Sequence, residues 1–210
     1  GDAFSNKLWL RADAIAGKQD GDPISTWSDN SGNSNNAVQG TSAAMPAYKV
    51  GIVNGKPVVR FDGTSDYFAN VFNVQNQNMT IFTVFSQDHS SSESSAHGPL
   101  WMPKANASPG GFFPRWNNGV LYLAYGSSSD NNLAKTSTFS HNTWYASSVV
   151  YGANRTELWK NETLESSIGV NAIQYGAFQM GARIYSSAQD YYKGDIAELV
   201  FYNIALNTAQ

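Results

Sequence analysis

"ISTWSDNSGNSNNAVQG", residues 24–40, sets one large aromatic, Trp27, ahead of a long run of Asp, Ser, Gly and Asn. Such a run makes poor helix. These short side chains bond their own backbone and tolerate left-handed conformations, so they build tight turns. Trp27 then reads as an apolar anchor at the edge of a tightly turned loop, and Asp29 as a supplier of the turn's own hydrogen bonds. The pattern predicts one corner of a β-sandwich.

Working outward, strand-like runs recur on both sides: "NKLWLRADA", "KPVVRFDG", "MTIFTVFSQ", "GGFFPRWNNGVLYLAYG", "WYASSVVYG", "RTELWKNE", "FQMGARIYS" and "GDIAELVFYN". Most are rich in β-branched or aromatic residues and are bounded by Gly, Asn, Ser or Asp. "NNG" at 117–119 and "GAN" at 152–154 read as hairpin turns. No long stretch has a 3.6-residue period; the weak helical option follows Leu206. Residues 17–23 and the Ser-rich 87–99 read as loops, and no repeat of fixed period is found. Many short strands separated by turns predict an all-β, jelly-roll sandwich.

Composition agrees. Charged residues make up only 14% of the 210, and the polar part is mostly Ser and Asn, unlike a helical bundle with charged solvent faces. Net charge is −3 with no Lys/Arg cluster, so duplex nucleic acid and anionic membranes are not expected partners. No apolar run is long enough to insert in a membrane. There is no cysteine, which excludes thiol catalysis and Cys-zinc sites. The abrupt "GDAFSNKLWL" and "ALNTAQ" read as the ends of a piece cut from a longer protein.

Five motifs then occur in a telling order: "LWLRADA" (8–14), "ISTWSDNSGNSNNAVQ" (24–39), "NGKPVVRFDGTSDYF" (54–68), "MTIFTVF" (79–85) and "YYKGDIAELVFYNIAL" (191–206). Together they resemble bacterial laminin-G-like domains of the concanavalin A-like lectin/glucanase superfamily. Residues 86–190 match in pattern only, and Arg11 stands where such domains often carry Asp. The resemblance implies one laminin-G-like domain over 1–210, a jelly roll of two curved antiparallel sheets, with first and last strands near each other. It further implies a secreted or cell-surface parent with flanking domains. Function is not fixed by it, since the superfamily holds lectins, glycosidases, lyases, adhesion modules and spacers.

The chemistry of an enzyme is hard to find. Retaining glycosidases need two carboxylates about 5 Å apart across one sugar site, and the glucanase pattern Glu-x-Asp-x-x-Glu is absent. Glu162 and Glu165, in "KNETLESS", read as a solvated pair. Alternation puts Glu198 on a face with Ile196 and Val200, opposite Leu199 and Phe201, in a structural role. "YYKGD" is superficially similar to the last strand of alginate lyases. Those enzymes also need a Gln-x-His strand, and none is expected; His89 and His97 fall in the Ser-rich loop. His141 falls in a turn before Trp144. "KGD" at 193–195 is integrin-like but lies where the family's strand begins. Asn78, Asn106, Asn154 and Asn161 begin glycosylation sequons. Calcium (Ca2+) suits oxygen-rich loops, with Asp62 and Asp66, or Asp29 and its Asn neighbours, as candidate ligands.

The leading expectation is a non-catalytic, lectin-like module for a polysaccharide or cell-surface glycan. The alternatives are a polysaccharide lyase or glycoside hydrolase, and a structural or adhesion domain that binds protein. A sugar site pairs flat aromatics with directional polar groups. Alternation turns Tyr122 away from Leu121 and Leu123, and Arg183 and Tyr185 away from Met180, Ala182 and Ile184. The expected site is therefore Trp101, Arg115, Trp116, Tyr122, Arg183 and Tyr185, with Trp101 at the rim.

Overall fold

The computed structural model describes residues 6–69, 71–75, 78–88, 100–102, 114–117, 120–124, 132–135, 140–168, 176–184 and 187–207, with 114–117, 120–124, 132–135, 168 and 189 described by backbone alone. Its strands are β1 (Leu8–Arg11), β2 (Thr26–Trp27), β3 (Ala37–Val38), β4 (Ala47–Val53), β5 (Lys56–Asp62), β6 (Met79–Gln87), β7 (Trp101–Met102), β8 (Pro114–Asn117) and β9 (Val120–Ala124). They continue with β10 (Asn132–Lys135), β11 (Trp144–Gly152), β12 (Arg155–Lys160), β13 (Thr163–Ile168), β14 (Gln179–Met180), β15 (Ala182–Ile184), β16 (Ala188–Tyr191) and β17 (Lys193–Tyr202). Two short 3-10 turns, Ala12–Ala14 and Ser42–Ala44, are the helical elements among the described residues.

Eight strands form one antiparallel sheet in the order β13-β12-β11-β6-β17-β5-β4, with β1 also on β17. β17 organises it. One edge pairs with β6 along its length; the other pairs with β5 over 193–196 and then with β1 over 198–201. The expected neighbourhood of first and last strands is thus met, since Leu10 faces Leu199. The change of partner falls at Ala197, where the register with β6 shifts between Ile196 and Glu198. This bulge corrects the simple alternation. Ile196 is fully buried with Leu199 and Phe201, while Glu198 and Val200 face outward. An extra residue in one strand moves everything before it to the other face.

The hairpins follow from local chemistry. Asn54-Gly55 joins β4 to β5 with both residues at positive φ, 49° and 74°, the two-residue turn that suits twisted strands. Gly152 opposite Arg155 closes β11 on β12, and Asn117 opposite Val120 leaves two residues between β8 and β9, as expected at both places. Glu162 lies in the exposed β12–β13 turn at φ 69°. Glu165, expected in solvent beside it, instead sits in β13 at 3.2 Å from Lys160 with 13% of its side chain exposed. Residues 203–207 after β17 are not helical.

The opposing layer is built of short pieces: β2 with β3, β7 with β14, and β15 with β16. Segment 68–74 adds to it through Phe68, Val71 and Val74 N–H bonds to the Met180, Phe178 and Gly176 carbonyls. Rings lock the layers together: Phe61 meets Phe68 edge-on at 6.1 Å, and Phe201 meets Phe178 and Phe72 at 5.7 and 5.0 Å. Trp27 is fully buried beside Phe68. Asp29 serves the turn beyond it: one carboxylate oxygen accepts Trp9 and Ser31 N–H, the other Ser31 Oγ and Asn35 N–H. Burial pushes this carboxyl up, but those N–H groups outweigh it and hold it below the usual range. The opening stretch therefore does what its composition predicts.

Candidate functional site

On the outward face of the large sheet, one register row runs Ala47, Arg60, Asp195, Ser86, Trp144 across β4, β5, β17, β6 and β11. Directly opposed residues share a face, so five strands place these side chains side by side. The core neighbours Phe61, Ile196, Phe85 and Tyr145 point the other way. Arg60 grips Asp195 with two parallel bonds, Nε to Oδ1 and Nη2 to Oδ2, both 2.7 Å. Asp195 is 10% exposed at its side chain and Arg60 45%, so the fork stands at the surface with its carboxylate sunk beneath it.

The row borders a groove of about 540 Å³, lined also by Ile52, Asp62, Asp66, Asp88, Asn142, Lys193 and Gly194. A cleft of that size suits a small organic ligand. Asp62 caps its own loop: it accepts Thr64, Ser65 and Asp66 N–H on one oxygen and the Thr64 and Ser65 hydroxyls on the other. Burial alone would raise its carboxyl, but these donors bring it down to about 2. Asp66 behaves oppositely. It is 7% exposed, and burial, then the Asp62 charge, push it up to about 7, although it accepts the Asp62 N–H at 2.9 Å. Asp88 lies 3.4 Å from Lys193 and 3.4 Å from His141. The groove lining thus sets Asp62, Asp88 and Asp195 against Arg60 and Lys193, with Asp66 held protonated below about pH 7. Another concavity, about 480 Å³ at the far end of β11, is lined by Asn78, Asn154, Arg155, Asn203, Ile204 and small residues, with no aromatic side chain among those described.

Of the residues expected to form the site, Trp101 and Arg183 are described with their side chains, and neither lines this groove. Trp101 is a core residue, not a rim residue: it is 2% exposed, stacks on Phe178 at 6.2 Å and donates its indole N–H to Thr83 Oγ1. The cause is its strand, since β7 pairs with β14 inside the opposing layer. Arg183 forms an ion pair with Asp190, the structural carboxylate role left open for it. Arg115 lies opposite Tyr122 on β8 and β9, and Trp116 opposite Leu121, so the first pair and Trp116 fall on different faces. Their side chains and the whole of Tyr185 lie outside the described residues, as does most of loop 87–99.

Arg60, Ser86, Trp144 and Asp195 went unselected because cross-strand register is not written in any one strand. The available signal was a single polar or aromatic residue on the outward phase of an otherwise apolar strand, such as Arg60 in "VVRFD". A Gln-x-His triplet does occur, Gln87-Asp88-His89, with Gln87 the last residue of β6. Gln87, however, is 2% exposed on the core face, away from the groove, and His89 lies outside the described residues. At Asp29 and Asp62, named as candidate calcium ligands, the carboxylate oxygens accept N–H and O–H groups, most of them from their own turns. Among the described residues no three His, Asp or Glu side chains converge as a metal needs.

No protein-family model matches the chain, and no curated protein matches it. Solved structures do share its architecture. Domain 4 of AbnA, a GH43 extracellular arabinanase from Geobacillus stearothermophilus solved with arabinotriose, aligns with a TM-score of 0.70 at 13% identity, over 100% of this chain and 97% of that one. A Trypanosoma rangeli sialidase in complex with the inhibitor DANA aligns at 0.60 and 12% identity over 96% of this chain, which spans 31% of the sialidase. A heptameric SAP-like pentraxin from Limulus polyphemus aligns at 0.53 and 15% identity, covering 71% of this chain and 76% of its own. What is shared at these identities is the fold, an all-β sandwich of the concanavalin A-like lectin/glucanase kind.

Proposed function

We propose that this chain is a non-catalytic carbohydrate-binding domain of the laminin-G-like kind, taking a neutral glycan in the groove beside Trp144. The observation that carries the reading is the register row itself, which sets an indole on the same face as the Arg60–Asp195 fork, with Ser86 between them. A sugar offers an apolar face to the ring and hydroxyls to Arg60, Asp195 and Asn142. Three carboxylates against two cations disfavour a polyuronate. The arabinotriose held by the arabinanase domain supports the ligand class, and its extracellular setting supports a secreted or cell-surface parent with flanking domains. No described helix is long and apolar enough to cross a membrane. Calorimetric titration with neutral arabino-, xylo- and manno-oligosaccharides is the test. Trp144→Ala is expected to remove about 1–2 kcal/mol of binding, roughly a five- to thirty-fold loss. Binding of none of these sugars, or equal binding by Trp144→Ala, refutes the reading.

One observation favours a hydrolase as the second reading. Asp66, raised to about 7, and Asp62, lowered to about 2, line the same groove. Carboxyls pushed apart by their surroundings are what acid and ionised partner require. Against it, the five donors on Asp62 already occupy both oxygens. New reducing ends during the titrations, abolished by Asp66→Asn, would favour the hydrolase.

A further inference from the structure

A second row crosses the same outward face, away from the groove. Trp9 lies opposite Val200, Val200 opposite Phe82, Phe82 opposite Ser148, and Ser148 opposite Trp159. Phe82 is 40% exposed and lies outside the core cluster; Trp9 and Trp159 are half-buried. Both indoles are pinned by carboxylates, Trp9 Nε1 donating to Glu198 at 2.6 Å and Trp159 Nε1 to Glu157 at 3.3 Å. Tyr202 meets Phe82 edge-on at 6.1 Å. These are aromatic rings with fixed orientation, that of Trp9 lying under the Arg11 guanidinium at 5.2 Å.

Their spacing is regular. Trp9, Phe82 and Trp159 occupy every second strand, about 9.5 Å apart along the row, close to the span of two β-1,4-linked pyranose rings end to end. The charges around them are matched: Arg11 with Asp13 at 3.0 Å, Arg155 with Glu157 at 3.3 Å. A face so balanced complements an uncharged partner. Sheet twist adds a further constraint. About 20–25° per strand accumulates to roughly 90° over the four steps from β1 to β12, so no flat surface meets all three rings at once.

We propose that this row is a second carbohydrate site, for a single soluble chain of a neutral β-1,4-linked glycan that runs across the strands and twists with them. It rests on the reading of the chain as a carbohydrate-binding domain but uses none of the groove's residues.

Electrophoresis through gels containing hydroxyethylcellulose, with soluble starch as the α-linked control, tests it, together with co-sedimentation on crystalline cellulose. The expected result is retardation by hydroxyethylcellulose, none by starch and no pelleting with the crystalline polymer. Phe82→Ala and Trp159→Ala should each weaken retardation about five-fold or more, and Trp159→Phe should restore part of it. Melting curves check that the variants fold. Absence of retardation, retention that survives the double substitution, or pelleting with crystalline cellulose overturns the proposal. Retardation that needs Phe82 and Trp159, alongside oligosaccharide binding left unchanged by Trp144→Ala, would uphold this site and reject the groove.

Discussion

Asp62 and Asp66 stand four residues apart and hold each other through backbone N–H groups, yet one is driven towards ionisation and the other away from it. The consequence is a pH dependence of stability. Below its ordinary 3.8, Asp66 is protonated folded and unfolded alike. Between 3.8 and about 7 the folded chain keeps a proton that the unfolded chain has released, so stability falls as pH rises through that window and levels off above it. Asp62 works below the window, its stabilisation being lost as pH falls from 3.8 through about 2. Asp66→Asn can still accept the Asp62 N–H and has no proton to release. It is expected to flatten the melting temperature between pH 4 and 7 and to stabilise the chain at pH 8; an unchanged pH profile would refute the assignment. At this scale the sequence was legible where chemistry is local. Trp27 and Asp29 follow from their own neighbours in the chain. Trp101 did not, because whether an aromatic faces core or solvent depends on which strand lies beside it, here β14, nearly eighty residues on.

Alternation within a strand is reliable only while pairing is regular. In β17 it places Glu198, Leu199, Val200 and Phe201 correctly and fails before them, because the extra residue at Ala197 sits where β5 gives way to β1. The same strand starts with a backbone that only glycine tolerates. Gly194 has φ 151°, and a Cβ there would strike the Ser86 carbonyl oxygen and come within 2.6 Å of the Tyr192 hydroxyl. Those two atoms are bonded to each other at 3.0 Å, so neither yields freely. Gly194→Ala is expected to cost about 1–3 kcal/mol of stability, read from denaturant melts, and to weaken ligand binding, since Gly194 lines the groove. Gly55→Ala is the contrast: it too carries a positive φ, 74°, but a Cβ there meets nothing within 4 Å, so it should destabilise less and leave binding intact.

Across the whole molecule, the fold was legible from the sequence because strand runs, turn residues and the order of end motifs all pointed to one architecture. The proposed binding face was not, because it exists only after β4, β5, β17, β6 and β11 are brought side by side, uniting residues from 47 to 195. That long-range assembly makes ligand and fold interdependent. A glycan seated on Trp144, Asp195 and Arg60 bridges strands that must separate when the chain unfolds, and the unfolded chain offers no such row. Ligand then stabilises by mass action, about 2.7 kcal/mol at a hundred times its dissociation constant. For a chain of this size each kcal/mol moves the melting temperature about 2–4 °C, so a saturating neutral oligosaccharide should raise it by roughly 5–10 °C. Trp144→Ala should lose most of that shift while melting normally without sugar, its ring being half-buried outside the core cluster. A polyuronate oligosaccharide should give no shift at low salt, where repulsion by Asp62, Asp88 and Asp195 is least screened. An equal shift with the polyuronate would mean that these carboxylates do not face the ligand, and the groove would have to be abandoned as its seat.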